Sequence, residues 1–191
     1  MASQRLKQAF YFDILNCVPD PRKAENLDKG EGTLWANCGI NQFHLPQELE
    51  AQVFDGRVVL EYNDLSAVTA RCAAAAPVLS ESKFGFENHN DALHVTCPWG
   101  NKFELRKGSC ADPRGKQPGA ISEPLGMPEL FVNVAAGSNM AGIARFYETL
   151  VGTPVRSQEG SVQVDCGRGQ ILSFVDRFDI FCSRYLLLVH Q

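Results

Sequence analysis

The chain has no basic cluster: no run of Lys or Arg is longer than two residues. Its 18 basic side chains are outnumbered by 22 acidic ones, for a formal net charge of −4. The positive stripe expected of a general nucleic-acid binder is therefore missing. It has no Cys-x-x-Cys. The seven cysteines are odd in number and widely spaced, which argues against a zinc finger, a thioredoxin-like motif and a disulfide framework. Without an Asn-x-Ser/Thr sequon either, a reducing, cytoplasmic setting is expected. The stretch Met1 to Phe10 lacks the apolar region of a secretory signal. The longest apolar run near the C-terminus, Tyr185 to Val189, is too short to span a bilayer, so no membrane partner is expected. There is no nucleophile elbow. Gly30-Glu31-Gly32 opens no helix and is not a phosphate loop.

What is present is ordinary in bulk and repetitive in detail. Apolar residues make up 45% and charged residues 21% of 191, enough for a sizeable core. Gln8 to Val18 is aromatic and β-prone and predicts a strand. Thr33 to Cys38 and Asn41 to Leu45 predict a hairpin through Gly39-Ile40. Arg57 to Tyr62 predicts a strand. Leu65 to Ala76 predicts an alanine-rich helix capped by Asn63 or Asp64 and ended by Pro77. Strands are expected at Ser82 to Glu87, Leu93 to Cys97 and Asn101 to Arg106. Lys107 to Gly126, with three prolines and four glycines, reads as a linker. A third segment holds a strand from Glu129 to Val134, a helix from Asn139 to Leu150 stopped by Gly152, and a hairpin from Ser161 to Cys166 and Gln170 to Val175.

These segments echo one another. Cys38 to His44 aligns without a gap on Cys166 to Leu172, and Asn41 to Leu45 aligns on Asn101 to Leu105. The shared order is strand, helix and about three antiparallel strands, an internal repeat.

With Tyr62-Asn63-Asp64 opening a helix, Phe146-Tyr147-x-x-Leu150-x-Gly152, and Cys97-Pro98-Trp99-Gly100-Asn101-Lys102-Phe103-Glu104-Leu105, the chain resembles the vicinal oxygen chelate superfamily, the glyoxalase/bleomycin-resistance/dioxygenase fold. The resemblance covers roughly residues 8 to 175, with Cys97 where the family usually has Asp. It implies an α+β fold of tandem βαβββ modules forming a cupped barrel. The first module would span 8–46 and the second 55–107, the two being paired. A linker would follow at 108–126, then a third, unpaired module at 127–176 and a tail at 177–191. Only 14 residues, Pro19 to Gly32, separate the first strand from the first hairpin, so the first module is expected to lack most of its helix. The third has too little chain after it for a partner module. An alternative transcript, a shortened chain or a homodimer completing the third module would account for this.

The resemblance also implies a site. Metal-dependent members take ligands from the first and last strands of paired modules, where inward side chains meet one ion that polarises vicinal oxygens. The matching positions here are Asp13, His44 and Glu104, a candidate set for a divalent metal. The fourth is Arg57, which has no lone pair to offer and would instead hold an anionic ligand. In the third module the same two positions read Glu129 and Leu172, and leucine is no ligand. Against the metal stands an ion-pair cluster in which Arg57 neutralises the carboxylates. Trp35 and Trp99 would line the cup or belong to the core. His89 and His94 flank a turn, as a surface metal pair or, more simply, a solvated hairpin, and His190 lies near the chain end. The leading expectation is a divergent glyoxalase-like small-molecule-binding protein with a degraded metal site. Two alternatives stand beside it: a metal-dependent lyase, isomerase or extradiol-type dioxygenase, and an interaction protein that kept only the fold.

Overall fold

The computed structural model describes residues 2–48, 50–108 and 122–177. The chain divides into two compact units, Met1–Val53 with Val59–Met127, and Phe54–Val58 with Pro128–Gln191.

The first unit opens on a helix where a strand was expected. Helix α1 (Ala2–Lys7) runs on as a π-helical turn over Gln8–Ile14. Phe10, Tyr11, Ile14 and Leu15 on this turn are buried. The aromatic run that suggested a β-strand is thus the apolar face of a helix end, where tertiary burial overrides strand propensity. A helix is thus present at the start of the first unit. The helix lies upstream of the interval from Pro19 to Gly32.

The turn ends at Asn16, which adopts the left-handed conformation (φ 56°). The Cys17 amide donates to the Tyr11 carbonyl at 3.0 Å. The third module does the same. Helix α4 (Met140–Phe146) passes into a π turn at Tyr147–Val151 and stops at left-handed Gly152 (φ 73°), and the Thr153 amide donates to the Tyr147 carbonyl at 3.2 Å. Phe10-Tyr11 and Asn16 therefore repeat Phe146-Tyr147 and Gly152 at the same spacing, with Asn in the role usually given to Gly because both tolerate positive φ.

Strand β1 (Val18–Pro19), a 3-10 turn at Pro21–Lys23 and helix α2 (Ala24–Lys29) lead to β2 (Leu34–Cys38) and β3 (Asn41–Leu45), in sheet order β1-β2-β3. The expected hairpin is present, with Trp35 opposite His44. Strand β4 (Gly56–Tyr62) precedes helix α3 (Ser66–Ala75), which buries Val68 and Cys72. The helix starts after the expected caps: Asp64 instead accepts from the Ser66 hydroxyl. Strands β5 (Gly85–His89), β6 (Ala92–Thr96) and β7 (Lys102–Lys107) complete the order β5-β6-β7-β4. β5 thus begins three residues later than predicted.

Phe10 and Tyr11 pack on Phe103, with ring centroids 5.1 and 6.3 Å apart, and Phe10 also meets Phe84 at 6.4 Å. The carbonyls at the helix end are satisfied from the second module. Tyr62 Oη donates to Leu15 at 3.0 Å and Arg71 Nε to Ile14 at 2.7 Å, the partners that orphan C-terminal carbonyls require when buried.

In the second unit β8 (Gly126–Val134), α4, β9 (Val155–Gln158), β10 (Ser161–Gly167) and β11 (Gln170–Asp176) follow in chain order, and the strands are ordered β8-β11-β10-β9. β8 and β11 are parallel, the rest antiparallel. Ala144, Val162 and Val164 form its small core with Ile143, Tyr147 and Phe174 around them. Beside β8, the Asn133 amide donates to the Asp55 carbonyl at 2.8 Å.

Candidate functional site

Strand alternation decides which predicted site residues can meet. On β3, Phe43 turns inward, its ring 6.2 Å from Phe103 of β7. Its neighbour His44 therefore points to the other face, where it is exposed. The imidazole stacks on Trp35 at 4.7 Å and 9°, and Nε2 shares a hydrogen bond of 2.7 Å with Gln42 Oε1. Arg22 lies over the same indole at 4.6 Å and Lys23 at 5.4 Å, distances at which cation–π attraction operates. Trp35 is a half-exposed platform, outside the apolar core. Beneath it Asp20 accepts from Arg22 Nε at 2.9 Å and Nη2 at 2.7 Å, and from Gln42 Nε2 at 2.7 Å. The Arg22 guanidinium foremost, helped by the neutral Gln42 amide, holds the Asp20 carboxyl well below the usual carboxylate range.

Glu104 lies elsewhere. It follows Phe103 on β7 and so faces away from the aromatic core. It is nonetheless buried, and its Oε1 is 2.5 Å from Arg106 Nε. Directly across the ladder stands His94 of β6, and across from that Glu87 of β5. Such in-register partners share one sheet face with Cβ atoms about 4.5–5.5 Å apart. Thr96 and Lys102 oppose each other next along the same face, and the His89 ring lies 5.5 Å from that of His94. The face opposite carries Leu93, Val95, Phe103 and Leu105, all buried. A polar face with a buried ion pair at Glu104 and Arg106 thus backs the aromatic core of this unit. From the sequence alone His94 pairs only with His89 across a turn. Its place beside Glu104 depends on the β5–β6 and β6–β7 registers, and the left-handed Asn90 (φ 53°) in the β5–β6 turn was the one local cue.

The other predicted residues do not join this face. Asp13 is exposed on the π turn. Within the second unit, to which Arg57 belongs, its guanidinium sits 3.6 Å from the centroid of Phe131. Trp99 is half-buried in the turn between β6 and β7. Glu129 of β8 accepts from the Ser173 hydroxyl of β11. Among the described residues no group of three or more His, Cys, Asp and Glu side chains is placed to hold a metal ion. Asp13, His44 and Glu104 do not form one ligand set, because alternation sends His44 to the Trp35 platform and the π turn puts Asp13 on the surface. His190 lies outside the described residues. In the second unit a surface cleft of about 560 Å³ runs between the helix end and β10, lined by Tyr147, Val151, Thr153, Pro154, Val164 and Cys166.

The mixed α+β fold is of the vicinal oxygen chelate type, as the solved structures that share it show. No protein-family model matches the chain, and no curated protein does. Solved structures share its fold at low identity. Glyoxalase I from Zea mays matches with a TM-score of 0.51 and 12% identity, over 91% of this chain and 63% of its own. A variant of the same maize protein matches with a TM-score of 0.52 over 93% and 65%. A candidate dioxygenase from Bacillus subtilis matches with a TM-score of 0.51 and 12% identity, over 90% and 59%. The chain thus spans about three fifths of the length of these proteins. Among the described residues no helix is long and apolar enough to cross a membrane.

Proposed function

We propose that the chain is a divergent glyoxalase-like protein that binds a small polar molecule on the β5–β6–β7 face of its first unit, in a reducing cytoplasmic compartment, without the metal chemistry that the sequence resemblance implies. One observation carries this reading. Glu104, the carboxylate that the resemblance assigns to a metal, is buried against Arg106 with His94 opposite, while the other assigned ligands lie elsewhere. A carboxylate already neutralised by a guanidinium is a poor cation ligand. The donors and acceptors of His94, Thr96, Lys102, Glu104 and Arg106 instead suit a ligand bearing carbonyl, hydroxyl or carboxylate oxygens. Cys17, Cys38, Cys72 and Cys97 are free and buried, which supports the compartment.

Elemental analysis of untagged protein tests the metal half. We expect well under one equivalent of divalent metal, unchanged in His44→Ala and Glu104→Gln. Stoichiometric metal that Glu104→Gln removes would overturn the reading in favour of a metal-dependent enzyme. A thermal-shift panel of small carboxylates, phosphate and α-hydroxycarbonyl compounds tests the binding half. A stabilising compound should lose its effect in Arg106→Ala and His94→Ala. A flat panel would leave the interaction-protein alternative.

A further inference from the structure

Strands β1 and β2 pair antiparallel with Val18 opposite Asn37 and Pro19 opposite Ala36. Continuing that register by one residue sets Cys17 opposite Cys38. The type of each pair follows from the hydrogen bonds. The Asp20 amide donates to the Trp35 carbonyl at 2.9 Å, which makes Asp20 and Trp35 a hydrogen-bonded pair. Pro19, without an N–H, then occupies a position where none is needed. Alternation makes Val18 and Asn37 hydrogen-bonded and Cys17 and Cys38 non-hydrogen-bonded.

That class brings Cα atoms to about 4.5 Å with side chains closest together, inside the roughly 4.4–6.8 Å range that a disulfide spans. Both thiols are buried, at 3% and 0% exposure.

We propose that Cys17 and Cys38 form an oxidisable pair, set by the β1–β2 register within disulfide reach of each other in the folded chain. With a peroxide as oxidant, one thiol is converted to a sulfenic acid with release of water. The second thiol then attacks that sulfur, forming the S–S bond and expelling a second water. Two thiols lose two hydrogens and the peroxide O–O bond is reduced. The bridge encloses the 3-10 turn and α2, and it ties the end of the π turn to the β2–β3 hairpin. The Cys17 amide is the group that closes that turn on Tyr11.

Access controls the rate. The partner thiol and burial push the Cys17 thiol up, and only the thiolate is reactive. Oxidation therefore waits on opening of β1, a strand of two residues. Among the described cysteines, exposed Cys166 reacts first. Cys97, buried close enough to Tyr11 to act on it together with Cys17 and Cys38, is the competing partner.

The experiment uses the full chain carrying Cys166→Ser, treated with hydrogen peroxide and mapped by mass spectrometry without reduction. A Cys17–Cys38 cross-linked peptide is expected. A rise in Tm on the order of 5–10 °C should accompany it and be reversed by dithiothreitol. Cys38→Ala should abolish both effects, and Cys17→Ala, a second small substitution, should do the same if Cys38→Ala fails to fold. Links only to Cys97, or a Cys17–Cys38 link formed only in urea, would overturn the proposal. So would oxidised thiols at Cys17 and Cys38 with no bridge between them.

Discussion

The two helix ends of this chain are built alike and treated differently. Each carries Phe-Tyr, passes into a π turn and stops six residues after the Phe on a left-handed residue, Asn16 in one and Gly152 in the other. Yet Phe10, Ile14 and Leu15 are at most 1% exposed, whereas Phe146, Leu150 and Val151, at the matching positions, are 50%, 74% and 57% exposed. Local sequence is enough to make the turn. Burial is decided by what packs on it, and in the first unit that is the second module, through Phe84, Phe103, Tyr62 and Arg71.

The largest test of this contrast is truncation on each side. Phe10→Ala should cost about 3–5 kcal/mol and Ile14→Ala about 2–5 kcal/mol, the range for emptying a packed core. Phe146→Ala and Leu150→Ala should stay within about 0.5 kcal/mol, as surface changes do. Urea unfolding measures both. A cost above about 2 kcal/mol at Leu150 would mean that the face is covered in solution. Sedimentation over a range of concentrations would then show whether the homodimer expected from sequence covers it.

The same pair of helix ends shows how far the sequence could be read. The hairpins, α3 and the third module lie close to where their periodicity placed them, because each has its own turn residues and its own apolar face. The first helix is the exception. Its aromatic and β-branched residues favour a strand in isolation, and its stop is Asn16 rather than a glycine. The legible clue was spacing: Phe10-Tyr11 stands to Asn16 as Phe146-Tyr147 stands to Gly152. The candidate site divides the same way. Glu104 was found because a motif marks it. His94 was not paired with it, because that pairing depends on two strand registers, and a one-residue slip would reverse the face. His44 was drawn toward Glu104 by alignment, although the inward place on β3 belongs to Phe43.

A middle-sized test concerns the stops themselves. A Cβ at Gly152 would meet nothing within 4 Å, so Gly152→Ala isolates backbone strain and should cost about 1–2 kcal/mol. Asn16→Ala should cost more. It adds the loss of the Asn16 Nδ2 donation to Glu123 Oε2 at 2.9 Å, a bond to a charged acceptor. Asn16→Gly should recover the backbone part alone. Equal costs for the two alanine variants would show that the Glu123 contact contributes nothing.

The smallest effect lies just past the two stops. Where the third module continues straight into β9, the first turns at Asp20, whose carboxylate caps the 3-10 turn by accepting from the Arg22 amide at 2.9 Å and binds the Arg22 side chain and Gln42. Its folded pKa is depressed by these donors, so the unfolded chain takes up the proton first as acidity rises. The stabilisation is therefore present above the unfolded value of about 3.9 and is lost as pH falls through and below it. Arg22 is largely exposed, which makes the contribution modest and salt-sensitive. Asp20→Asn should lower Tm near neutrality and flatten its decline on the acid side. The difference between variant and parent should close as the pH drops below about 3 and shrink in high salt. An unchanged acid limb would place the pH dependence of the first module elsewhere than at this turn.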